Sequence, residues 1–307
     1  MSGPRILLLG ARGFVGGHLA SSLTAEHGPE RVIVTSREEL DITDRAAVSA
    51  ALARLRPTHV VNLAGIAAPA AAARAGYSAW DLHLHAAEDL GHAMLREVPD
   101  AWLLHVSSGL IYGRTALHGH PITEAEATEP MDAYGATKAA GDIALGALAE
   151  RGLKVVRMRP FNHTGSGQLT DFAAPAFAAQ IAKIEARQQA PVLSVGNLNA
   201  KRDFLHVSDV VEAYAGVIRA GDALVPGSVF NVASGEGVSM QDLLNRLLKL
   251  SKCEIQVSFD PARMRGSDLP VIIGNSGALR DATGWIPRSN LDTALHDLLN
   301  TERQNCG

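Results

Sequence analysis

The chain has 307 residues, of which 47% are hydrophobic, so it is long enough to bury one large core or two modest ones. Its 28 Lys and Arg residues stand against 32 Asp and Glu residues, and the net charge of -4 provides no electrostatic basis for binding nucleic acid. Two cysteines, Cys253 and Cys306, lie too far apart in sequence for a metal-binding or disulfide pattern, and no apolar run has membrane-spanning length. We therefore expect a cytoplasmic protein.

The first half of the chain alternates short apolar runs with segments of helical pattern. Strands are predicted at residues 5–9, 31–35, 59–63, 103–106 and 155–159. Helices are predicted from about residue 13 onward and at residues 45–55, 79–97 and 134–150. Because helical segments separate most of these strands, the pattern predicts a parallel, doubly wound sheet of the α/β class.

The pattern changes after Arg159. Residues 160–168 are rich in Gly, Asn and His and predict a loop. Further elements are predicted as a helix at 172–186, a strand at 191–195, a loop at 196–202, segments that return to the first domain at 207–220 and 229–232, and C-terminal segments at 239–250 and 291–299. This order predicts one domain from residues 1–163 and 204–234, and a smaller, mostly C-terminal α/β lobe from 164–203 and 235–307.

Three glycines in the spacing G-x-x-G-x-x-G follow the first predicted strand. Gly10, Gly13 and Gly16, with Phe14 and Val15 between the last two, stand where a helix begins. Glycine allows a tight turn and the close approach of a pyrophosphate to the helix N-terminus, so the sequence predicts a dinucleotide-binding loop. The alternative is a glycine-containing turn of an ordinary α/β protein.

The residues after the second predicted strand bear on the choice of dinucleotide. An acid there would bind the adenosine ribose of NAD, but this chain has Thr35-Ser36-Arg37, and Arg12 lies inside the glycine loop. Two guanidinium groups suit a 2'-phosphate, so NADP(H) is the preferred cofactor and NAD(H) the second choice. The alternative is that both arginines are solvated or stack on the adenine.

Tyr134 and Lys138 stand four residues apart in Tyr-Gly-Ala-Thr-Lys, and Ser108 follows the strand predicted at 103–106. On a helix this spacing places the phenol and the ammonium group on one face, where the lysine can lower the pKa of the tyrosine. An isolated pair of this kind is common by chance. Together with the glycine loop and the strand-end serine, it predicts proton exchange with a substrate oxygen during hydride transfer.

These features together resemble the short-chain dehydrogenases of the extended type, which have a Rossmann-type nucleotide-binding domain. The resemblance implies that Tyr134 gives a proton to a substrate carbonyl, Ser108 hydrogen-bonds the same oxygen, and Lys138 holds the nicotinamide ribose. It implies further cofactor contacts from Asp41, Ile42, Leu63, Ala64, Gly65, Phe161 and His163. Ser107 is expected beside the substrate.

The second half narrows the resemblance. Residues 159–168, 195–204, 206–209, 260–268 and 279–285 resemble the GDP-mannose 4,6-dehydratase and GDP-6-deoxy-4-ketomannose reductase group. By this resemblance Asn162, Arg202 and Arg265 bind the diphosphate or nearby sugar oxygens, and Asp268 accepts from the nucleotide ribose. Arginine forks suit a diphosphate and a short carboxylate suits vicinal hydroxyls, although both arginines could instead form ordinary surface ion pairs.

The residue two places before Tyr112 distinguishes the reactions of this group. Dehydratases have a glutamate there to remove a sugar proton. Epimerase-reductases have a cysteine two places after the serine that matches Ser108, which is the same position. This chain has Leu110 at that position. The resemblance therefore implies reduction of the C4 ketone of GDP-4-keto-6-deoxy-D-mannose to give GDP-D-rhamnose. The alternatives are a UDP-hexose 4-epimerase, a reductase of a GDP-6-deoxy-heptose, and a non-catalytic NADP-sensing protein.

Two features of the histidines need attention: one differs from the related proteins, and two pairs have a spacing that could suggest a metal site. His83 stands where relatives have an asparagine, which puts the local geometry in doubt. The pairs His83/His85 and His118/His120 could suggest a metal, but helical residues two apart diverge and the second pair has no third ligand in view, so no metal is expected.

Relatives of this group pair through two long helices that flank the catalytic segment. Here those helices correspond to residues 79–97 and 134–150. The resemblance therefore implies a homodimer that binds a GDP-linked 4-keto-6-deoxy sugar, with neither nucleic acid nor membrane as a partner.

Overall fold

The computed structural model describes residues 3–264 and 269–306. Its strands are β1 (Ile6–Leu9), β2 (Val32–Val34), β3 (His59–Asn62), β4 (Trp102–Val106), β5 (Val155–Pro160), β6 (Asn162–Thr164), β7 (Val192–Val195), β8 (Lys201–His206), β9 (Val229–Val232), β10 (Gly237–Ser239), β11 (Gln256–Phe259) and β12 (Val271–Ile272). Its α-helices are α1 (Phe14–His27), α2 (Arg45–Leu55), α3 (Pro69–Ala75), α4 (Tyr77–Trp80), α5 (Ala86–Glu97), α6 (Ala133–Ala149), α7 (Ala173–Glu185), α8 (Val207–Ala220), α9 (Met240–Lys249), α10 (Gly277–Thr283) and α11 (Leu291–Cys306).

The main sheet has six parallel strands in the order β2-β1-β3-β4-β5-β9. The chain moves outward from β1 to β2 and then returns past β1 to β3, so the strand order reverses between β1 and β3. In open α/β sheets ligands bind at such a reversal, outside the carboxyl ends of the strands. The glycine loop after β1 and residues 63–65 after β3 flank this position.

Both faces of the main sheet are covered, as its apolar strands require. One core lies between the sheet and α1, α8 and α10, and includes Leu19, Leu23 and Val210. The other lies between the sheet and α2, α5 and α6, and includes Leu52 and Leu90. The predicted fold class, a doubly wound α/β fold, is confirmed.

A second group of elements forms the smaller lobe. Strand β8 pairs with β10 and β12 at one end and with β6 at the other, while β7 pairs with β11. Helices α7, α9 and α11 enclose a separate apolar core that includes Phe177, Leu243 and Leu298. The division of the chain into the two predicted domains stays a prediction.

Helices follow the sequence more closely than short strands do. The side chain of Asp44 caps α2 at the predicted first residue, and that of Asp132 caps α6 by accepting from the backbone N–H of Gly135. The predicted loops at 160–168 and 196–202 are wrong in part, because β6 lies within the first and β8 begins inside the second. Strands of two or three residues carry too little alternation to be recognised before their partners are known.

The long helix before β4 contains a π-helical turn. Between α4 and α5, Asp81–His85 form a π-helical segment, so the helix predicted at 79–97 runs without a break from Tyr77 but with one wider turn. Such wide turns often mark functional sites. Within the described ranges, no helix combines the length and apolar character needed to cross a membrane.

Candidate active site

The glycine loop is packed too tightly for side chains at two positions. Gly10 has a φ of 78°, and a Cβ atom there would lie 2.7 Å from the backbone nitrogen of Ala64. A Cβ at Gly16 would lie 2.2 Å from the carbonyl oxygen of Gly10. These glycines therefore bring α1 against the ends of β1 and β3, next to residues 63–65 as predicted.

The N-terminus of α1 fits a pyrophosphate. Gly13 is the N-cap, the first turn contains no acidic residue, and in the described part of the chain no side chain caps this end. The first backbone N–H groups of a 14-residue helix are thus available to an anion. Phe14 and Val15 occupy the first turn and are half-buried against the core.

Both predicted arginines lie at the surface, Arg12 in the glycine loop after β1 and Arg37 in the loop after β2. Arg12 is exposed, and Arg37, also exposed, donates from Nε to Oδ2 of Asp41 at 2.9 Å. Glu39 accepts from the backbone N–H of Ser36 at 2.7 Å, so the carboxylates of this loop are engaged within it. Ile42 is buried beneath the loop. Two guanidinium groups that reach solvent beside this edge of the sheet fit a 2'-phosphate.

The structure brings Ser108, Tyr134 and Lys138 together where β4 ends and α6 begins. Ser108 caps a short 3-10 helix at Gly109–Tyr112 by accepting from the backbone N–H of Leu110 at 3.1 Å, and its hydroxyl acts on the pKa of the Tyr134 phenol. Lys138 donates from Nζ to the carbonyl oxygen of Val106 at 3.0 Å. All three predicted catalytic side chains are buried, beside the cofactor loop: a Cβ at Gly65 would lie 3.1 Å from Nζ of Lys138.

Burial dominates the electrostatics of these groups. It raises the pKa of Tyr134, and the Ser108 hydroxyl offsets only part of that rise. Burial lowers the pKa of Lys138 to about 8, although the charge of Asp142 acts in the opposite direction. The phenol therefore keeps its proton at neutral pH in this structure. Lys138 is not among the groups that shift the pKa of Tyr134 here, so the predicted lowering by Lys138 stays a prediction.

His83 connects the cofactor loop to the catalytic helix, a role that the sequence reasoning missed. Its Nε2 accepts from the backbone N–H of Ile66 at 2.9 Å, so its proton is on Nδ1, which lies 2.8 Å from Oγ1 of Thr137. That hydroxyl donates in turn to the carbonyl oxygen of Tyr134 at 3.0 Å. The imidazole also meets the Tyr134 ring edge to face, with 5.9 Å between centroids.

The same histidine is held neutral. Burial, with a smaller contribution from the charge of Lys138, lowers the pKa of His83 to about 3. A neutral ring is required for the acceptor role of Nε2. His83 lies on the π-helical segment, and its replacement of the asparagine found in relatives was the only sign of this role in the sequence.

A buried ion pair holds the helix that carries Tyr134 and Lys138 against β5. Arg159 binds the carboxylate of Asp142 in a bidentate manner, with distances of 3.1 Å from Nε and 2.8 Å from Nη2, and donates from Nη1 to the Tyr112 hydroxyl at 2.9 Å. Burial alone would raise the pKa of the Asp142 carboxyl, but the hydrogen bonds of Arg159 outweigh it and keep that pKa below its usual value. Asp142 lies four residues after Lys138, so helical spacing could have indicated its position.

The predicted sugar-binding residues begin on β6 and β8. Asn162, half-buried, pairs in register with Phe204. Arg202 is half-buried on β8 and donates from Nη1 to the carbonyl oxygen of Leu269 at 2.8 Å. Arg202 thus contacts Leu269, which follows the other two predicted contacts along the chain. Those contacts, Arg265 and Asp268, lie outside the described residues.

Asp203, next to Arg202, organises this region and was missed by the sequence reasoning. Its buried carboxylate accepts from the backbone N–H groups of Ser234 at 2.8 Å, Gly235 at 2.9 Å and Gly274 at 3.2 Å. It therefore joins β8 to the loops after β9 and β12. Nothing in the spacing of these residues along the chain could have shown that they meet.

The other predicted cofactor and substrate contacts are Phe161, His163 and Ser107, and the first of these packs inside the protein. Phe161 is buried against Gly109 and Gly274, whose added Cβ atoms would lie 3.0 and 2.5 Å from its ring. His163 stacks on Phe14 of α1 with 6.0 Å between ring centroids, which places it near the glycine loop. Ser107 is buried, and its hydroxyl has no hydrogen-bond partner among the described residues. An unpartnered buried hydroxyl at a strand end is suited to a ligand.

The fold and this site define the class of protein. Residues 6–233 match the NAD dependent epimerase/dehydratase family, and the chain belongs to that family. The matched region contains the glycine loop, the strand-end serine and the tyrosine-lysine pair. The predicted membership of the extended short-chain dehydrogenases is confirmed.

Individual proteins of this family are similar to the chain over nearly its whole length. The GDP-6-deoxy-D-mannose reductase of Pseudomonas aeruginosa is 32% identical over 296 residues, which cover 96% of each chain. The GDP-6-deoxy-D-talose 4-dehydrogenase of Aggregatibacter actinomycetemcomitans is 25% identical and covers 91% of each chain. A solved structure described as RMD from Pseudomonas aeruginosa complexed with NADPH has a TM-score of 0.88 and 29% identity, covering 98% of this chain and 99% of the other. A UDP-glucose 4-epimerase of Thermus thermophilus with NAD has a TM-score of 0.83 and 25% identity, covering 97% and 99%.

Proposed function

We propose that this chain reduces the C4 ketone of GDP-4-keto-6-deoxy-D-mannose with NADPH, giving GDP-D-rhamnose. The observation that carries the proposal is the burial of Ser108, Tyr134 and Lys138 together, with Lys138 fixed on the Val106 carbonyl next to Gly65 of the cofactor loop. The full-length similarity to a GDP-6-deoxy-D-mannose reductase and to a structure with NADPH agrees with the predicted reaction and cofactor.

Bound NADPH supplies the hydride, and the residues of this chain bind the ketone, orient it and protonate it. Ser108 and Tyr134 together donate to the carbonyl oxygen, so that the proton passes from the phenol to that oxygen as negative charge develops there. Lys138, fixed on the Val106 carbonyl next to Gly65, is positioned to hold the ribose hydroxyls of the cofactor. His83 keeps the helix that carries these groups in register with the cofactor loop.

The position of Leu110 supports reduction without elimination. This residue is half-buried and packs against the apolar clusters around Ile111 and around Tyr134, so an alkyl group occupies the place where a dehydratase has its proton acceptor. An alkyl side chain cannot remove a sugar proton. The reaction that remains at the Tyr134 site is hydride transfer to a ketone.

The sugar nucleotide is proposed to bind along the edge that contains β6 and β8. Asn162 and Arg202 would contact the diphosphate or nearby sugar oxygens, together with Arg265, while Asp268 would accept from the nucleotide ribose. Arg202 and Asn162 lie on neighbouring strands of one small sheet, which supports a shared role in binding. Guanidinium forks are suited to a diphosphate.

The NADP(H) preference is proposed to come from Arg12 and Arg37. Both guanidinium groups are exposed at the carboxyl edge of β2, where the 2'-phosphate of the adenosine ribose would lie. NAD(H) would lack the phosphate that these groups neutralise. We therefore expect it to serve less well but still to bind.

A homodimer through the paired helices is also proposed, in the cytoplasm that two free cysteines suit. On α6, Ile143 is exposed at 57% on the face that points away from the core. An interface along this helix would cover that side chain. Sedimentation equilibrium would report the mass of the assembly, and a monomer at micromolar concentration would contradict this part of the proposal.

The reaction is tested by incubating the chain with NADPH and GDP-4-keto-6-deoxy-D-mannose. We expect NADPH oxidation and one product, which NMR should identify as GDP-D-rhamnose. Turnover of a UDP-hexose without added cofactor would instead favour a 4-epimerase, for which the similarity to UDP-glucose 4-epimerases gives the specific reason. Inertness towards every ketosugar would favour a sensor that binds NADP without catalysis.

A further inference from the structure

The two histidines His118 and His120 have a third candidate ligand that their sequence spacing does not reveal. Oε2 of Glu126 lies 3.9 Å from Nδ1 of His118, and Oε1 of Glu126 lies 3.6 Å from Nδ1 of His120. The three ligand atoms all lie within 4.8 Å of one another. The pair therefore has a third candidate ligand within reach, contrary to the expectation from sequence. We propose that His118, His120 and Glu126 form a surface site for a divalent transition-metal ion, with Zn²⁺ as the test ion.

The distances are close to those that a tetrahedral site requires. With metal-ligand bonds of about 2.0–2.2 Å, the ligand atoms lie about 3.4 Å apart. Two of the observed separations exceed this by about half an ångström or less, so modest rotations of the side chains would bring the ligands to the ion. His118 and His120 are exposed at 64% and 57%, and Nδ1 of His120 would exchange its 3.4 Å contact with the carbonyl oxygen of Pro121 for the ion. Their exposure also leaves a coordination position open to water.

The carboxylate of Glu126 is already held in place. Its side chain is exposed at only 18%, and Oε1 accepts from the backbone N–H of Thr123 at 3.1 Å. The ion would therefore bind two mobile imidazoles around one anchored oxygen. Two imidazoles and one carboxylate suit Zn²⁺ and its neighbours in the transition series. Ca²⁺ and Mg²⁺ prefer oxygen ligands and should bind weakly.

The site lies within the loop that joins the two catalytic segments. This loop leaves Tyr112, shortly after Ser108, and returns at Asp132, the cap of the helix that carries Tyr134. Oγ1 of Thr115 donates to the carbonyl oxygen of Ala127 at 2.9 Å, and Ile122 between the ligands is buried. A bound ion would join residues 118–120 to Glu126 on the exposed side of this loop. We therefore assign the ion a role in the stability of this loop and none in hydride transfer.

An ion pair is the competing explanation for the cluster, and the two explanations have opposite pH dependences. Metal binding needs neutral imidazoles and weakens as the solution becomes acid. Attraction between histidine and Glu126 needs protonated imidazoles and strengthens over the same range. A measurement at two pH values therefore separates them.

The test is a Zn²⁺ titration of the full chain, without an affinity tag, in competition with a chromophoric chelator. At pH of about 7.5 we expect one ion per chain, a rise in melting temperature on Zn²⁺ addition, and loss of both effects at pH of about 5.5. His120→Ala and Glu126→Gln should each weaken the affinity by about tenfold or more, since even residues outside the ligand shell have effects of this size. The amide of Glu126→Gln can still accept from Thr123, so the loop should keep its fold.

His92→Ala is the matched control. His92 faces Glu88 at 4.0 Å and forms a two-ligand cluster on the surface of α5. Its replacement should leave the Zn²⁺ affinity unchanged. The proposal is overturned if the wild-type chain takes up no ion, or if His120→Ala and Glu126→Gln bind Zn²⁺ as tightly as the wild type does. Activity towards the ketosugar is recorded in parallel, so that failure of the proposed reaction is seen separately from failure of this site.

Discussion

The cofactor half and the sugar half of this protein are built from contacts of different range. The cofactor site consists of short segments, each of which follows a strand of the main sheet: the glycine loop after β1, residues 35–42 after β2 and residues 63–65 after β3. The sugar side depends on β8, whose partners β6, β10 and β12 come from three separate parts of the chain. Local motifs therefore describe the first site, while the second exists only after distant strands have paired.

The proposed catalytic residues lie near both halves. Tyr134 and Lys138 stand on α6, which packs on the main sheet, whereas the Tyr112 hydroxyl donates to Asn231, and Asn231 donates to the carbonyl oxygen of Ile122. A single substitution can therefore change one half, or the contact between the halves, while a measurement on the other half stays constant.

Tyr134→Phe should have the largest effect, because it removes the proton donor and leaves the ring. We expect turnover to fall by about 10²–10⁴-fold, the usual contribution of a positioned acid. NADPH binding, followed by fluorescence titration, should change little. Tyr77→Phe, at a tyrosine exposed at 73%, is the control and should keep full activity. Comparable turnover in Tyr134→Phe and the wild type would remove Tyr134 from the mechanism.

Arg202→Ala should affect the sugar half alone. Loss of one charge-assisted contact to the diphosphate should raise the KM for the sugar nucleotide by about 10- to 100-fold. The dissociation constant of NADPH should stay within the error of the measurement. Lys201→Ala is the control, since Lys201 is an exposed neighbour on the same strand. An unchanged KM, or an equal loss of NADPH affinity, would contradict the assignment.

His83→Gln should test the contact between the halves. The folded state holds the pKa of His83 at about 3 against an ordinary value of 6.5, so the unfolded chain binds a proton that the folded chain excludes. Stability from this residue is therefore complete above pH 6.5 and falls as the pH drops from 6.5 towards 3. The slope is about 1.4 kcal/mol per pH unit for one proton, and His83→Gln should remove it.

Urea unfolding at several pH values measures that slope. His85→Gln is the control, because His85 is exposed on the same π-helical segment. The Gln variant should also lower kcat by roughly tenfold, since a buried backbone N–H or hydroxyl loses part of its hydrogen bonding. An acid-unfolding profile identical to that of the wild type would mean that His83 does not stay neutral in the fold.

Arg37→Ala should have the smallest effect, confined to the cofactor half. We expect the preference for NADPH over NADH, measured as the ratio of kcat/KM values, to fall by about two- to fivefold, because exposed charges contribute about 0.2–1 kcal/mol. Arg45→Ala is the control, since Arg45 forms a similar exposed ion pair with Asp89. A larger loss with Arg45→Ala would show that general surface charge sets the preference.

The sequence by itself determined those features whose parts lie within one helix turn or one loop. The spacing of Gly10, Gly13 and Gly16 places them in a single turn at the start of α1, and the four-residue spacing of Tyr134 and Lys138 places both on one helical face. Their geometry follows from the helix period alone. For this reason the geometry of the glycine loop and of the tyrosine-lysine pair was predictable.

Only the tertiary structure decided the contacts between residues that are distant along the chain. The carboxylate of Asp203 meets Gly274, the imidazole of His83 meets Ile66, and the guanidinium of Arg159 meets the carboxylate of Asp142. Each of these pairs joins separate elements whose relative positions depend on how the sheets and helices pack. The tertiary structure also decided the rise in the pKa of Tyr134 through burial, because the exclusion of water from a site depends on every element around it.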